Sequence, residues 1–312
     1  MLGTYLLALL GFVLLIGSGR FLVKASVSLA GYFGVSTLVI GVTVVAFGTS
    51  APELLVSVQA ALNGHPEIAF GNVIGSNISN IALVLALTAI ILPIPVKRSS
   101  FVFDWPFMMA VSILFYVLSL DLILGRGEGI AFNILLVAFI VFSIRRSKQS
   151  KQKTSVQNKE SVNIYVTLGI IIASSLGLVF GAKFLVDSAV YIAGELGVSE
   201  RAISISMIAI GTSLPELSTS IIAAIQKETD ISVGNIIGSN IFNILSVLGI
   251  TSIITPIQLT QLTVDVDILW MLAISALLFL LILPLKKPGL SRFKGFFLLS
   301  VYVFYIYRVF TT

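Results

Sequence analysis

The sequence contains no cysteine and a single histidine among its 312 residues. The lack of thiols excludes disulfides and thiolate metal sites, and one imidazole argues against a zinc site. Charged residues are also scarce: they make up 11% of the chain, whereas a soluble domain carries roughly a quarter. This composition excludes a soluble enzyme, and any metal ion bound by the chain must meet oxygen ligands.

Apolar residues dominate instead, at 57% of the sequence and a mean hydropathy of +1.08. They come in continuous runs, each long enough to cross a hydrocarbon core about 30 Å thick. Their lack of period-two alternation excludes a β-barrel. The first run has no cleavage site of the kind that follows a signal peptide, so we expect it to be retained as a span. The sequence therefore predicts an all-α membrane protein.

The runs predict ten transmembrane helices. Their approximate bounds are 3–29, 36–62, 67–92, 102–120, 127–144, 162–193, 200–225, 231–254, 264–284 and 293–310.

The formal charge of +5 does not indicate nucleic-acid binding, because the basic residues lie between apolar runs and form no single basic face. Their distribution instead indicates how the chain is oriented in the membrane. Thirteen Lys and Arg residues fall in the loops after odd-numbered spans, and three lie on the opposite side. By the positive-inside rule the first side is cytoplasmic and both termini are extracellular. The polar segment 145–161 is interpreted as a cytoplasmic linker between two five-helix halves, 1–144 and 162–312.

An internal duplication relates the two halves. A shift of 163 residues aligns 18–80 with 181–243 without a gap and gives 29 identities in 63 positions. The predicted repeats, 36–92 and 200–254, overlap these aligned segments. Since each half has an odd number of spans, the second copy must enter the membrane from the other side, so the repeats are inverted. Inverted repeats are typical of secondary transporters, whose substrate sites lie near the bilayer midplane.

Two repeated glutamates, Glu53 and Glu216, fall near the middle of spans two and seven. Each follows a proline, Pro52 or Pro215, which cannot donate to the carbonyl four residues earlier and opens the helix there. Broken backbone survives in a membrane only where it is packed in protein or lines a cavity. A carboxylate at this depth costs a few kcal/mol, and neither motif supplies a basic partner. We therefore expect the pair to bind a cation.

Further oxygen-bearing side chains recur at helical spacing near these glutamates, and singly each has the simpler interpretation of helix packing. They are Thr49, Ser50, Ser57, Asn72, Ser76 and Asn80 in the first repeat, and Thr212, Ser213, Ser220, Asn235, Ser239 and Asn243 in the second. Together with loose carbonyls they suit a hard cation such as Ca²⁺, which takes about 6 to 8 oxygens, and Na⁺ fits the same ligands. Glycines 71, 75, 234 and 238 predict close helix approach beside them.

The duplicated motifs GTS-x-PE and GN-x-IGSNI resemble the α-repeats of the cation/calcium antiporters, specifically prokaryotic sodium/calcium exchangers. The resemblance covers nearly the whole chain. It implies an antiporter without cofactor, working as a monomer in a prokaryotic cell membrane, in which Na⁺ entry drives Ca²⁺ out electrogenically. It further implies that Ca²⁺ is bound by the carboxylates of Glu53 and Glu216 and the carbonyls of Thr49 and Thr212. The implied Na⁺ ligands are Ser50, Ser76, Ser213 and Ser239, with the carbonyls of Ala46 and Ala209, while Asn80 and Asn243 flank the middle.

One position departs from that resemblance. Many members, including potassium-dependent ones, have Asp where this chain has Asn243, so we expect potassium independence and a site charge of −2. A proton-coupled antiporter for Ca²⁺ or another divalent cation remains an alternative, distinguished by uptake that follows a pH gradient without Na⁺. A cation channel is a further alternative, disfavoured by the inverted repeat, because channels place their pore on an axis along the membrane normal.

Overall fold

A computed structural model describes residues 2–97, 100–151, 163–196, 211–283 and 289–311. Within them the chain is almost entirely helical. The helices are α1 (Leu2–Phe33), α2 (Thr37–Thr49), α3 (Ala51–Leu62), α4 (Pro66–Ile91), α5 (Trp105–Leu118), α6 (Arg126–Lys151), α7 (Ile164–Glu195), α8 (Leu214–Ile225), α9 (Thr229–Ile254), α10 (Thr263–Ile282) and α11 (Arg292–Thr311). Two-residue strands β1 (Ile94–Pro95), β2 (Ile123–Leu124), β3 (Ile257–Gln258) and β4 (Gly289–Leu290) lie between helices.

Six of these helices are long and apolar enough to cross a membrane, and the described residues hold seven such spans if the bent pair α2 and α3 counts as one. The six are α1, α4, α6, α7, α9 and α10. Helices α2 and α3 meet at 43°, and α8 is a shorter apolar helix. The predicted helical membrane protein is confirmed.

The duplication in the sequence extends to the elements. Helix α8 repeats α3 at an offset of 163 residues, and strand β3 repeats β1 at the same offset. The strands pair antiparallel across the halves, β1 with β4 and β2 with β3. Each half therefore contributes one strand to each two-stranded sheet, which joins the halves through their loops as well as through their helices.

π-helical turns repeat as well, and one repeated pair lies in the helices that carry Asn80 and Asn243. Helix α4 passes through one at Asn80–Leu85, and α9 through another at Asn243–Leu248. A π turn inserts one extra residue into the α-helical hydrogen-bond pattern and often marks a functional site. Nothing in the hydrophobic periodicity of the sequence predicted these turns. Their result is that an asparagine begins the distorted turn in both halves.

Helices α1 and α7 pack along each other and belong to a buried apolar cluster distinct from the larger cluster formed by α4, α5, α6, α9, α10 and α11. Their backbones meet at two glycines: a Cβ on Gly11 would lie 2.8 Å from the carbonyl oxygen of Gly181. Contact between backbones allows no larger side chain at this crossing.

Helices α2 and α9 cross equally closely. A Cβ on Gly234 would lie 2.7 Å from the Leu38 carbonyl oxygen, and one on Gly238 would lie 2.5 Å from the Val42 carbonyl oxygen. The predicted close approach is confirmed for these two glycines. The other two predicted glycines are at 71 and 75. Residues 201 and 205, the repeat counterparts of Leu38 and Val42 that would face them, lie outside the described residues.

Helix α6 ends later than the sequence suggested. It continues to Lys151, seven residues into the segment 145–161 that was interpreted as linker, while 152–162 lie outside the described residues. Polar residues can extend a membrane helix into water because every backbone group stays paired within the helix. A contact at Ser147 also holds this extension, since its hydroxyl accepts the Ser36 backbone N–H at 2.7 Å.

Candidate cation-binding site

The site begins at the break between α2 and α3. Ser50 leaves the helical conformation, with φ −83° and ψ 7°, although its N–H still reaches the Ala46 carbonyl at 2.9 Å. Pro52 in the first turn of α3 has no N–H to offer the Gly48 carbonyl. The second repeat makes the same break at Ser213, with φ −85° and ψ 2°. The helix opening predicted from the prolines is therefore present in both halves.

Glu53 and Glu216 lie in the first turns that follow these breaks, in α3 and α8. Both side chains are completely buried. A helix N-terminus favours a negative charge, and proline fits its first turn without loss of a hydrogen bond. The motif thus starts a new helix within the membrane and places a carboxylate at its N-terminus.

The Glu216 carboxylate is held by the other half of the chain as well as its own. Its Oε1 accepts hydrogen bonds from the hydroxyls of Ser50 at 3.3 Å and Ser239 at 3.4 Å. Its Oε2 has no hydrogen-bond partner among the described residues. One carboxylate oxygen is therefore positioned by hydroxyl groups while the other is left for a ligand.

The Glu53 carboxylate faces the hydroxyls of Ser76 and Thr212, the repeat counterparts of residues near Glu216. Neither of its oxygens has a hydrogen bond of standard geometry among the described residues. Its own backbone N–H also turns toward the carboxylate. Glu53 thus leaves carboxylate oxygens available beside the broken helix.

Hydroxyl groups bridge the two halves around the carboxylates. The Thr49 and Ser239 hydroxyls lie 3.3 Å apart, and their repeat counterparts, Thr212 and Ser76, also lie 3.3 Å apart. Thr49 donates in addition to the Asn235 side-chain oxygen at 3.0 Å. Hydroxyl groups of the two repeats therefore meet beside both carboxylates.

An outer set of contacts fixes the orientation of these groups. The Asn72 amide donates to the Ser57 hydroxyl at 3.1 Å and to the Glu53 carbonyl at 3.2 Å. Asn235 donates to Ser220 at 3.2 Å in the second repeat. Such second contacts hold ligands in place and tune a metal site.

The two predicted amides behave differently. Asn80 is fully buried, and neither its oxygen nor its nitrogen has a hydrogen-bond partner among the described residues. Asn243 donates to the Asn77 side-chain oxygen at 3.0 Å and leaves its own oxygen unpaired. Asn77 in turn donates to the Asn240 carbonyl at 3.3 Å. Sequence reasoning missed Asn77 as a site residue, although it is the asparagine of the repeated IGSNI motif.

Two predicted backbone ligands remain. The Ala46 carbonyl already accepts the Ser50 N–H and lies 3.3 Å from the Thr49 hydroxyl oxygen, so an ion at this oxygen would compete with these contacts. Ala209 lies outside the described residues.

Most buried polar atoms in folded proteins are hydrogen-bonded, so a group of unpaired ones needs a cause. The unpaired oxygens at this site are both of Glu53, Oε2 of Glu216, the Ser213 hydroxyl and the amide oxygens of Asn80 and Asn243. Neither glutamate has a basic partner: the ion pairs of the described residues are His65 with Glu67 and Lys97 with Asp230. Buried charges without a counter-charge are strongly unfavourable, and the described residues hold no cluster of three or more His, Asp or Glu side chains. A cation held by two carboxylates and neutral oxygens fits this arrangement.

Comparison with known proteins agrees with this chemistry. The family model described as "Sodium/calcium exchanger protein" matches residues 3–145 and 166–311. The chain is 37% identical to the putative antiporter CaxA of Alkalimonas amylolytica, over 100% of both chains. It is 29% identical to the sodium/calcium exchanger MaX1 of Methanosarcina acetivorans, over 98% of both. A solved structure of the sodium-calcium exchanger NCX_Mj, soaked with zero Na⁺ and Ca²⁺, matches with a TM-score of 0.84 at 32% identity over 97% of both chains.

Proposed function

The chain belongs to the sodium/calcium exchanger protein family, and we propose that it is a secondary active antiporter that exchanges Na⁺ for Ca²⁺ by alternating access. It is a membrane transporter and not an enzyme. The observation that supports the choice of ions is the pair of buried glutamates with unpaired oxygens, surrounded by hydroxyl and amide oxygens. Ca²⁺ and Na⁺ both bind oxygen ligands of this kind.

The proposed architecture has ten transmembrane helices in two inverted halves of five, with both termini extracellular. The matching bounds of α3 and α8, and of the π turns in α4 and α9, support a duplicated unit. The odd number of predicted spans in each half supports the inversion, and the Lys and Arg distribution supports the orientation.

For Ca²⁺ we assign the carboxylates of Glu53 and Glu216 with the carbonyls of Thr49 and Thr212. The two carboxylates come from different halves, yet hydroxyls of both halves surround each of them. One divalent ion between them would neutralise the site charge of −2. A Ca²⁺-loaded site without net charge can be occluded in the membrane interior while access changes from one side to the other.

For Na⁺ we assign the remaining oxygens to flanking sites. They are the hydroxyls of Ser50, Ser76, Ser213 and Ser239 and the carbonyls of Ala46 and Ala209, with Asn80 and Asn243 beside the middle site. Because Ser50 and Ser239 already touch the Glu216 carboxylate, Na⁺ at these positions shares ligands with Ca²⁺. Shared ligands make the two ions compete, which is the basis of exchange.

Coupling follows from charge. An empty site has a charge of −2, and burying this charge without a counter-ion is unfavourable. Only the ion-loaded states can therefore be occluded and change access. If three Na⁺ exchange for one Ca²⁺, one net charge moves per cycle, and 100 mV biases transport by about 2.3 kcal/mol. The amide at Asn243 in place of a third carboxylate supports potassium independence. No cofactor is needed, and a single chain supplies every ligand.

The moving elements in this proposal are α1 and α7. They touch through Gly11 and Gly181 and share an apolar cluster with parts of α2 and α8, and we assign them to move as a pair against those two helices. Gly177 of α7 meets Ser18 of α1, whereas Gly19 faces α8, where its Cβ would lie 2.6 Å from Ile222. Crosslinks from this pair to α3 and α8 should therefore stop exchange.

Uptake of ⁴⁵Ca²⁺ into Na⁺-loaded proteoliposomes tests the function. With K⁺ or choline outside, uptake should require the outward Na⁺ gradient and be the same in the two media. Uptake that ignores Na⁺ and follows an imposed pH gradient would instead assign the protein to proton-coupled exchange. Passive flux without any counter-ion would indicate a channel.

A further inference from the structure

One end of the α2–α9 crossing is tied by side chains that the ion site does not use. Asp230, in the first turn of α9, forms an ion pair with Lys97 from the loop after β1. The same carboxylate oxygen accepts a hydrogen bond from the hydroxyl of Thr37, the first residue of α2, at 3.4 Å. The Asp230 side chain is only 13% exposed. One carboxylate therefore joins the starts of two helices and a loop.

The start of α2 is held from a second direction. Ser36 caps α2 by accepting the Val39 N–H at 3.3 Å, and its own N–H donates to the Ser147 hydroxyl of α6 at 2.7 Å. Just before it, Gly34 has φ +65°, a backbone conformation that favours glycine. The connection from α1 to α2 therefore turns sharply and is then fixed to α6 and α9.

The helices themselves are in contact at this end. A Cβ on Gly41 would lie 3.0 Å from the Ile231 carbonyl oxygen, one residue after Asp230. Backbone contact of this kind leaves no room for an ion or water between α2 and α9. In the proposed orientation this end of the crossing is cytoplasmic, and no gap separates α2 from α9 there.

The other end has no lysine at the repeat-equivalent position, and residue 200, equivalent to Thr37, lies outside the described residues. An offset of 163 places Glu67 opposite Asp230, Thr260 opposite Lys97 and Glu200 opposite Thr37. Glu67 is 61% exposed and bonds His65 of its own loop at 3.2 Å. Threonine thus replaces Lys97 and glutamate replaces Thr37. The equivalent positions therefore hold two acidic residues, Glu67 and Glu200, and no basic one. The repeats agree closely at the ion site and differ here.

We propose that Lys97, Asp230 and Thr37 form a latch, the Asp230 latch, that holds the cytoplasmic end closed and makes the outward-facing state the preferred resting state. These are positioning residues: they touch no transported ion and act by keeping α2 against α9. The proposal rests on alternating access as the proposed function. Glu228 stands beside the latch, where burial and the Asp230 charge raise its pKa while Lys97 lowers it, so its negative charge competes for Lys97.

The absence of native cysteine allows a direct test with one introduced thiol. Leu38, one residue after Thr37, has a buried side chain, and its carbonyl oxygen lies where α2 crosses α9, 2.7 Å from a Cβ placed on Gly234. Leu38→Cys should react slowly with a hydrophilic maleimide in the full-length purified protein. Adding Lys97→Gln or Asp230→Asn should raise the labelling rate roughly two- to fivefold, the range set by one partly exposed ion pair. The exchanged pair Lys97→Asp with Asp230→Lys should restore slow labelling, and Glu67→Gln at the opposite end should leave it unchanged.

The latch is overturned if both single variants, correctly folded by gel filtration, label at the parental rate, or if the exchanged pair labels as fast as the single variants. Because Lys97 is 64% exposed, Lys97→Gln provides a variant that folds if Asp230→Asn does not. Labelling needs no transport, so a failed latch is distinguishable from a failed exchanger: ⁴⁵Ca²⁺ uptake by the cysteine-free parent reports the second independently.

Discussion

The hydroxyl of Ser50, at the helix break of the first repeat, donates a hydrogen bond to Glu216 Oε1 of the second repeat at 3.3 Å. Each half thus helps to build the carboxylate environment of the other. A site of this kind cannot work as two independent halves, because removing a group from one repeat disturbs the glutamate of the other. The predictions below depend on this sharing.

Ser50→Ala should weaken Na⁺ competition against Ca²⁺, because it removes a proposed Na⁺ ligand and one of the two hydroxyls that hold Glu216. Hydrogen bonds to charged groups contribute about 1.5 to 3 kcal/mol, so we expect about a tenfold rise in the Na⁺ concentration that displaces ⁴⁵Ca²⁺. Ser300→Ala is the control, since that hydroxyl bonds only the Phe296 carbonyl of its own helix. Equal Na⁺ displacement curves for Ser50→Ala and the control would remove Ser50 from the site.

Asn243→Asp should make exchange sensitive to protons. The substitution replaces the amide that donates to Asn77 at 3.0 Å with a third carboxylate, which protons can occupy. Ca²⁺ uptake by this variant should fall more steeply than that of the native protein as pH is lowered. Asn243→Ala separates the charge from the lost hydrogen bond, and a steep pH profile in that variant as well would show that the carboxylate is not the cause.

Gly238→Ala should destabilise the protein. Its Cβ would lie 2.5 Å from the Val42 carbonyl oxygen and 2.7 Å from the Ala46 Cβ, so α2 and α9 must separate. Overpacking of this kind costs about 1 to 3 kcal/mol, seen as a lower thermal transition in detergent. Gly169→Ala is the matched control, because no described atom lies within 4 Å of its Cβ and alanine favours a helix. A native transition temperature for Gly238→Ala would contradict the close crossing.

Glu228→Gln should slightly stabilise the protein at neutral pH. Burial and the neighbouring Asp230 charge raise the Glu228 pKa above its ordinary value of 4.5, so the ionised side chain lowers folding stability and protonation restores it. We expect a rise of about 1 °C in the transition at pH 7, within the small range of surface substitutions. The difference should shrink as pH falls through the raised pKa and vanish below the ordinary one. A gain that persists at low pH would have another cause.

The sequence predicted the helical membrane fold because long apolar runs leave few other structures in a bilayer. It also predicted that the helices open near Pro52 and Pro215, because proline removes a specific backbone donor, and the structure places the breaks at Ser50 and Ser213. The assembly of both glutamates in one shared region was expected from the repeat, and the contacts of Ser50 and Ser239 with Glu216 place these elements together.

Other features depend on tertiary contacts that no local pattern carries. The π turns at Asn80–Leu85 and Asn243–Leu248 lie in sequences with ordinary helical composition. The extension of α6 to Lys151 runs through a polar segment that resembles a linker, and it is fixed by a contact between Ser147 and Ser36, 111 residues apart. Asn77 was missed because its role depends on which amide of the other half it faces.

Calcium binding to purified protein by titration calorimetry tests the shared site most directly, with Glu53→Gln and Glu216→Gln measured beside the native chain. One Ca²⁺ per chain, lost in both variants, is the expected result, since each glutamate supplies half of the charge that holds one ion. Two Ca²⁺ per chain, or one variant that retains native affinity, would contradict a single site formed by both repeats.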